Sequence, residues 1–237
     1  MSYLTNPYRY AGAGYPDSLL TDADGTVNSA TIVGGAKLGS YCCSFVASSA
    51  SVGQSINIPD NSALDGASGL SVAFWVNPTE LTNRRLLAKG ANSGWEMLSE
   101  TTNNILRWRV KGANDVLYTI EGTTALSDST WYHVVGMYDP DGGAGAEGSL
   151  HLFVNGVDEV SITNFSASGI KLNTSDVYLG SNSTPTQYFS GLLDDIGIFN
   201  YAISQATIDD LYNSGTGALV SSLSDYTGIL AYYSCEE

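Results

Sequence analysis

The sequence predicts an all-β chain: a two-sheet antiparallel β-sandwich with one short helix near its C-terminus. Three observations carry this. Short apolar runs recur along the chain with turn-forming residues between them, the pattern of many short strands. Hydrophobic residues make up 43% of the 237, enough for a sizeable two-sheet core, and 26 glycines with many Ser, Thr and Asn supply turns. Finally, the stretch 188–204 interleaves apolar Leu193, Ile196, Ile198 and Tyr201 with Asp195, Gly197 and Asn200, then runs into a helical pattern.

Taken in order, residues 1–18 read as an extended N-terminal arm. Tyr3, Pro7, Tyr8, Tyr10, Tyr15 and Pro16 give it too little apolar periodicity for a domain element and too many aromatics for a solvated tail. It is expected to lie over a surface, its own or a neighbour's. Residues 19–237 read as a single domain, because no linker composition interrupts them. Strands are expected at 40–47, 54–58, 70–77, 84–89, 94–99, 104–110, 115–120, 131–139, 148–155, 157–163, 176–181 and 189–200. Asp139-Pro140-Asp141-Gly142-Gly143-Ala144-Gly145 is a loop on its glycine content. Ser204 is placed to cap the helix, with Ile208, Leu211 and Tyr212 at helical spacing and Gly215 placed to end it.

Charge narrows the function. A formal charge of −15 argues against nucleic acid and anionic membrane as partners, since phosphate surfaces demand Lys and Arg. Six cations nevertheless gather in one stretch: Arg84, Arg85, Lys89, Arg107, Arg109 and Lys111. They read as a solvated sheet face with charges pointing outward; the alternative is a docking patch for an acidic neighbouring subunit. No apolar run approaches the roughly 18 residues that span a bilayer, and MSYLTNPYRYAGAGYPD lacks the basic and apolar regions of a signal peptide. Cys42, Cys43 and Cys235 make neither a disulfide framework nor a zinc site. On one strand Cys42 and Cys43 point to opposite faces, so at most one lies in the core, and buried inert thiols are expected.

Four segments carry a family resemblance. FSGLLDDIGIFNYAIS (189–204), LSVAFWVNP (70–78), WYHVVGMYD (131–139) and LHLFVNGV (150–157) resemble, in the right order, the strands of laminin G-like, concanavalin A-like jelly-roll domains. That fold hosts lectins, glycosidases, adhesion modules and virion proteins, so the resemblance implies architecture more sharply than function. It also implies a structural calcium, tying the loop after the first strand to an Asp of the last. Asp22 and Asp24 match the loop, and Asp194 or Asp195 the strand. The family's first strand is missing ahead of that loop, and a close match stands instead at Gly228–Glu237. Residues 228–237 are therefore expected to fill the vacant slot, either closing their own sheet or donated to the next subunit; truncation of a longer chain is a third reading. In the first two, Cys235 approaches Cys42 or Cys43, where a disulfide becomes feasible.

Catalysis is not expected. Retaining glycosidases of this fold use E-x-D-x-E, and the nearest string, Glu96-Met97-Leu98-Ser99-Glu100, has Leu98 in place of the middle Asp. His133 and His151 have no nucleophile motif beside them. Sugar binding rests on aromatics with nearby polar groups: Trp95 and Trp108 with Arg107, Arg109, Asn103 and Asn104 are the candidates, and the polar loop of Asn182, Thr184, Gln187 and Tyr188 a rim. Trp75 and Trp131 match core positions. The expected function is a non-catalytic, display-and-attachment subunit of a larger assembly, a phage or other virion decoration, fibre or tail component, at a virion or extracellular surface, partnered by other copies or virion proteins and by surface glycans. A secreted carbohydrate-binding module is the alternative, and a glycoside hydrolase the remote one.

Overall fold

Alternating sequences make two-faced strands, because successive side chains of an extended backbone point to opposite sides. Ile105–Lys111 does this cleanly: Leu106, Trp108 and Val110 are buried, and Arg107, Arg109 and Lys111 keep partial exposure. The structure is a computed structural model describing residues 3–4, 25–49, 52–142, 148–165, 168–182, 184, 187–224 and 228–235. Of the expected arm, only Tyr3–Leu4 falls within these; Asp22 and Asp24 lie outside them.

In chain order the strands begin with β1 (Tyr3–Leu4), β2 (Gly25–Asn28), β3 (Thr31–Gly34), β4 (Tyr41–Phe45), β5 (Ala47–Ser49) and β6 (Val52–Gly53). There follow β7 (Ser55–Ile58), β8 (Leu70–Glu80), β9 (Arg85–Lys89), β10 (Trp95–Ser99), β11 (Ile105–Lys111) and β12 (Leu117–Ala125). The last are β13 (Tyr132–Asp139), β14 (Gly148–Val154), β15 (Val157–Phe165), β16 (Val177–Leu179), β17 (Ser190–Phe199) and, after helix α1 (Gln205–Tyr212), β18 (Ile229–Tyr233). The first sheet runs β1-β2-β7-β16-β9-β10-β11-β12. The second runs β15-β14-β13-β8-β17-β4-β3, with β18 also on β17. Neighbouring strands in both are antiparallel, and β5–β6 forms a small hairpin apart.

The core lies between the sheets. Across the first sheet one inward row reads Val27, Ile56, Leu179, Leu87, Met97, Trp108 and Ile120, strand by strand in register. It packs with Phe74, Val76, Val134 and Leu152 of the second sheet. The Trp108 ring lies on Gly136, where an added Cβ would stand 2.6 Å from it; β13 can pass only as glycine there. At one side the sheets are clasped by Glu159 of β15, which accepts the amides of Thr123 (2.9 Å) and Thr124 (3.2 Å) and the Thr124 hydroxyl.

Lys89 corrects the expectation of outward cations. In register with Trp95 and Val177, it points into the sandwich and is fully buried. Its ammonium meets Asp60 Oδ1 at 2.5 Å, the Ser175 carbonyl at 2.7 Å and Asp65 Oδ1 at 3.3 Å. An ammonium out of water needs that company.

Helix α1 starts as expected, with Ser204 Oγ accepting the Thr207 amide at 3.1 Å. Its end differs: Asn213, at φ 44°, takes the left-handed position, and Gly215 serves the following turn. Ile208 and Leu211 pack on Ala73, Val135, Met137, Phe153 and Tyr232, covering the centre of the second sheet's outer face.

The C-terminal strand closes its own sheet. β17 takes β4 along Gly191–Leu193 and β18 along Ile196–Phe199, both on the side away from β8. A disulfide joins Cys43 of β4 to Cys235, just past β18, with Cα atoms 5.7 Å apart. In this chain the strand pairs within its own sheet, the first of the expected arrangements. Inert thiols are corrected at Cys43 and Cys235, which are bridged, and the expectation that at most one of Cys42 and Cys43 lies in the core is corrected as well, both being buried. Cys43 is in the core and oxidised, while Cys42, facing the other way, is buried too and its thiol reaches the Val33 carbonyl at 3.7 Å.

Candidate ligand-binding face

A sandwich has two outer faces, and here they differ. The second sheet's is capped by α1. On the first sheet's outer face, Thr26, Asn57, Tyr178, Ala88, Glu96, Arg109 and Thr119 form one row of register partners across seven strands. A parallel row holds Arg85, Leu98, Arg107 and Glu121. The loop after β16 walls one end, since the Arg85 amide donates to the Gln187 carbonyl (2.8 Å) and Arg85 bridges Tyr188.

Glu96 is the hub. It is 1% exposed, and its Oε2 accepts Arg85 Nε at 2.7 Å while Oε1 accepts the Asn92 amide at 2.8 Å. Arg109 Nη1 donates to Asn92 Oδ1 at 3.1 Å. Burial lowers the Arg109 pKa; Glu96 opposes this, and Arg85 and Arg107 add to it. Arg107 is better compensated, paired with Glu100 at 2.8 Å and Glu121 at 2.6 Å. Three polar atoms here are buried without a hydrogen-bond partner: Arg85 Nη1, Arg109 Nε and Asn57 Oδ1. Each such group costs about 1–3 kcal/mol.

The expected sugar site is redrawn. Trp95 and Trp108 are fully buried and donate Nε1 to the carbonyls of Leu64 (2.8 Å) and Met137 (3.2 Å). Neither of these two indoles is open, because the alternation that turns Arg107 and Arg109 outward turns Trp108 inward. Asn103 is exposed and Asn104 half-buried in the turn before β11, beyond the end of the row that holds Arg109. Asn182 is buried, with Oδ1 accepting the Thr184 amide at 3.2 Å. The aromatic that does belong to the face is Tyr178, half-buried on the outer row.

Catalytic groupings fare as follows. Glu100 is held ionised by Thr101, Thr102 and Arg107, so its pKa is lowered, the reverse of what a general acid needs. His133, tilted against Trp75 and stacked on Tyr212, is pushed down to about 3 by burial and stays neutral. One grouping escaped sequence reading. His151 Nε2 is 2.8 Å from Ser149 Oγ and its Nδ1 2.8 Å from Asp158 Oδ2, a serine-histidine-aspartate relay. Its signal was Ser149 and His151 two apart on one strand face, with Asp158 across the hairpin. Yet Ser149 is fully buried, and a Cβ on Gly142 would stand 2.1 Å from Oγ, so the loop occupies the space an acyl carbon would need.

Asp194 and Asp195 do not fit the calcium site the resemblance implies. A bulge with Asp195 at φ 49° buries both. Asp194 accepts the amides of Lys37 and Leu38 (2.9 Å each) and of Asp195 (2.8 Å); Asp195 accepts Val220 N (3.0 Å) and Tyr232 Oη (2.5 Å). N–H and O–H donors sit where a cation would need lone pairs. Among the described residues no group of three or more His, Cys, Asp or Glu could hold an ion.

This pair sets a pH dependence. Burial, above all, raises both carboxyls to about 7. Between that value and the unfolded value of 3.8 the native state binds more protons, so stability rises as pH falls. The lowered His133 works the other way below its ordinary 6.5. Two groups outweigh one, so the melting temperature is expected to rise from pH 7.5 to 5. Asp195→Asn should flatten the rise; an unchanged slope would contradict the assignment.

A cavity of about 700 Å³ lies elsewhere, between α1 and the turn at Val220–Ser222. Its lining, including Tyr201, Thr207, Asp210 and Asn213, contains none of the buried unpartnered atoms.

Comparisons with known proteins agree with this architecture. The family model described as the concanavalin A-like lectin/glucanases superfamily matches residues 50–209. The binding domain of Paraclostridial Mosquitocidal Protein 1 superposes with a TM-score of 0.62 at 20% identity, covering 82% of this chain and 48% of that one. The botulinum neurotoxin serotype G binding domain gives 0.60 at 16% identity, covering 85% and 47%. At such identities the likeness is one of fold, and the chain spans about half the length of these neighbours. No curated protein sequence matches. With the family match running over more than half of its length, the chain belongs to the concanavalin A-like lectin/glucanase superfamily.

Proposed function

We propose that this chain is a non-catalytic glycan-binding module, displayed on an exported assembly, that meets its ligand with the outer face of the first sheet. The observation that carries this reading is the asymmetry of the two faces. One is sealed by an apolar helix, while the other carries Tyr178, Arg109 and Asn57 in a single row, with buried Arg109 Nε and Asn57 Oδ1 lacking a hydrogen-bond partner. An aromatic beside fixed polar groups is what a sugar ring requires. The two solved neighbours are named as binding domains, of a mosquitocidal protein and of a neurotoxin, which supports binding over catalysis. The Cys43–Cys235 disulfide suits an oxidising compartment and hence an extracellular or virion surface. Since β18 is committed to its own sheet, attachment to other subunits falls to another surface.

A glycan array tests the reading. Binding should weaken about tenfold in Tyr178→Ala, the loss of one stacking contact. Val157→Ser, on the other sheet and 63% exposed, should leave it unchanged. Equal effects of the two substitutions would defeat the proposal.

A further inference from the structure

We propose that the saccharide read by this face carries an oxyanion, a carboxylate or sulfate, and that Arg85 and Arg109 receive it. The inference rests on the binding face proposed above and names the chemistry of its ligand.

The charges on this face are incompletely compensated. Arg107 has two carboxylates to itself, Glu100 and Glu121. Among the described residues, Arg85 and Arg109 have between them only Glu96, and both Glu96 oxygens are taken, by Arg85 Nε and the Asn92 amide. The group of Arg85, Glu96 and Arg109 therefore keeps one net positive charge on a chain of net charge −15. Its spare donors are guanidinium N–H groups: Nη1 of Arg85, a residue only 6% exposed, and Nε of Arg109. Guanidinium donors take oxyanions in preference to neutral hydroxyls, because the bond is charge-assisted. Asn57 Oδ1, a buried acceptor in the same row, has no donor and suits the hydroxyl of a sugar ring. Spare donors for an anion beside a spare acceptor for a hydroxyl describe an acidic saccharide.

Binding of the intact protein to alginate (carboxylate), dextran sulfate (sulfate) and neutral dextran, by affinity electrophoresis at about 0.15 M salt, tests this. We expect retention by at least one polyanion and none by dextran; whichever polyanion binds identifies the oxyanion. Arg109→Gln, at a half-buried site, should weaken retention at least tenfold, and Arg107→Gln less than twofold. Arg85→Lys, which keeps the charge beside Glu96 but loses the fork, should also weaken it and guards against misfolding of a harsher change. No retention by either polyanion overturns the proposal, as does equal loss in Arg107→Gln and Arg109→Gln, which would mean diffuse charge attraction. Dextran binding abolished by Tyr178→Ala would overturn the ligand class while keeping the face. Polyanion binding indifferent to both Tyr178→Ala and Arg109→Gln would overturn the face itself.

Discussion

Replacing both Cys43 and Cys235 by alanine is expected to cost about 3–5 kcal/mol of stability. The two are 192 positions apart, so the bridge removes more freedom from the unfolded chain than a short loop closure would. It also guards a weak element. β18 is five residues long and, among the described strands, pairs with β17 alone. Hydrogen bonds from Tyr232 to Asp195 and the burial of Leu230 and Tyr233 hold it beyond the bridge, so the variant should still fold. Urea denaturation should show a lower midpoint with a similar slope, and reductant should shift the native protein to the same place. If reductant leaves the midpoint of the native protein where it was, the bridge contributes nothing.

Trp108→Ala is the other large effect, expected at about 3–5 kcal/mol. The indole fills the space above Gly136, touches Trp95 at 6.0 Å between centroids and satisfies the Met137 carbonyl. Truncation leaves a void that a glycine on the opposite strand cannot fill. Trp108→Phe should restore most of the stability and leave glycan binding within twofold, judged by array signal on folded protein. A folded Trp108→Phe that had lost binding would place the ring in the ligand's path and contradict its assignment to the core.

Both results bear on what the chain reveals before it folds. Twelve expected strands all appear within a few residues, because each has an alternating or continuous apolar run. β2 and β3 escaped notice: Thr31–Gly34 is mostly exposed at a sheet edge, and an edge strand owes little to burial. The bulge at Asp194–Asp195 was also hidden, since simple alternation sends neighbours to opposite faces. The tryptophan assignment is different. Leu106, Trp108 and Val110 share one parity and Arg107, Arg109 and Lys111 the other, so the inward course of Trp108 was written in the strand itself. Which carboxylate meets which arginine was not, because Glu96 and Arg109, or Arg107 and Glu121, become neighbours only through cross-strand register.

The sulfur bridge has a mechanical corollary. A pull exerted on the chain beyond Cys235 does not strip β18 from β17 one pair at a time. It passes through the covalent link into Tyr41–Phe45, a strand flanked by two others, so tension is shared across the sheet rather than concentrated at its rim.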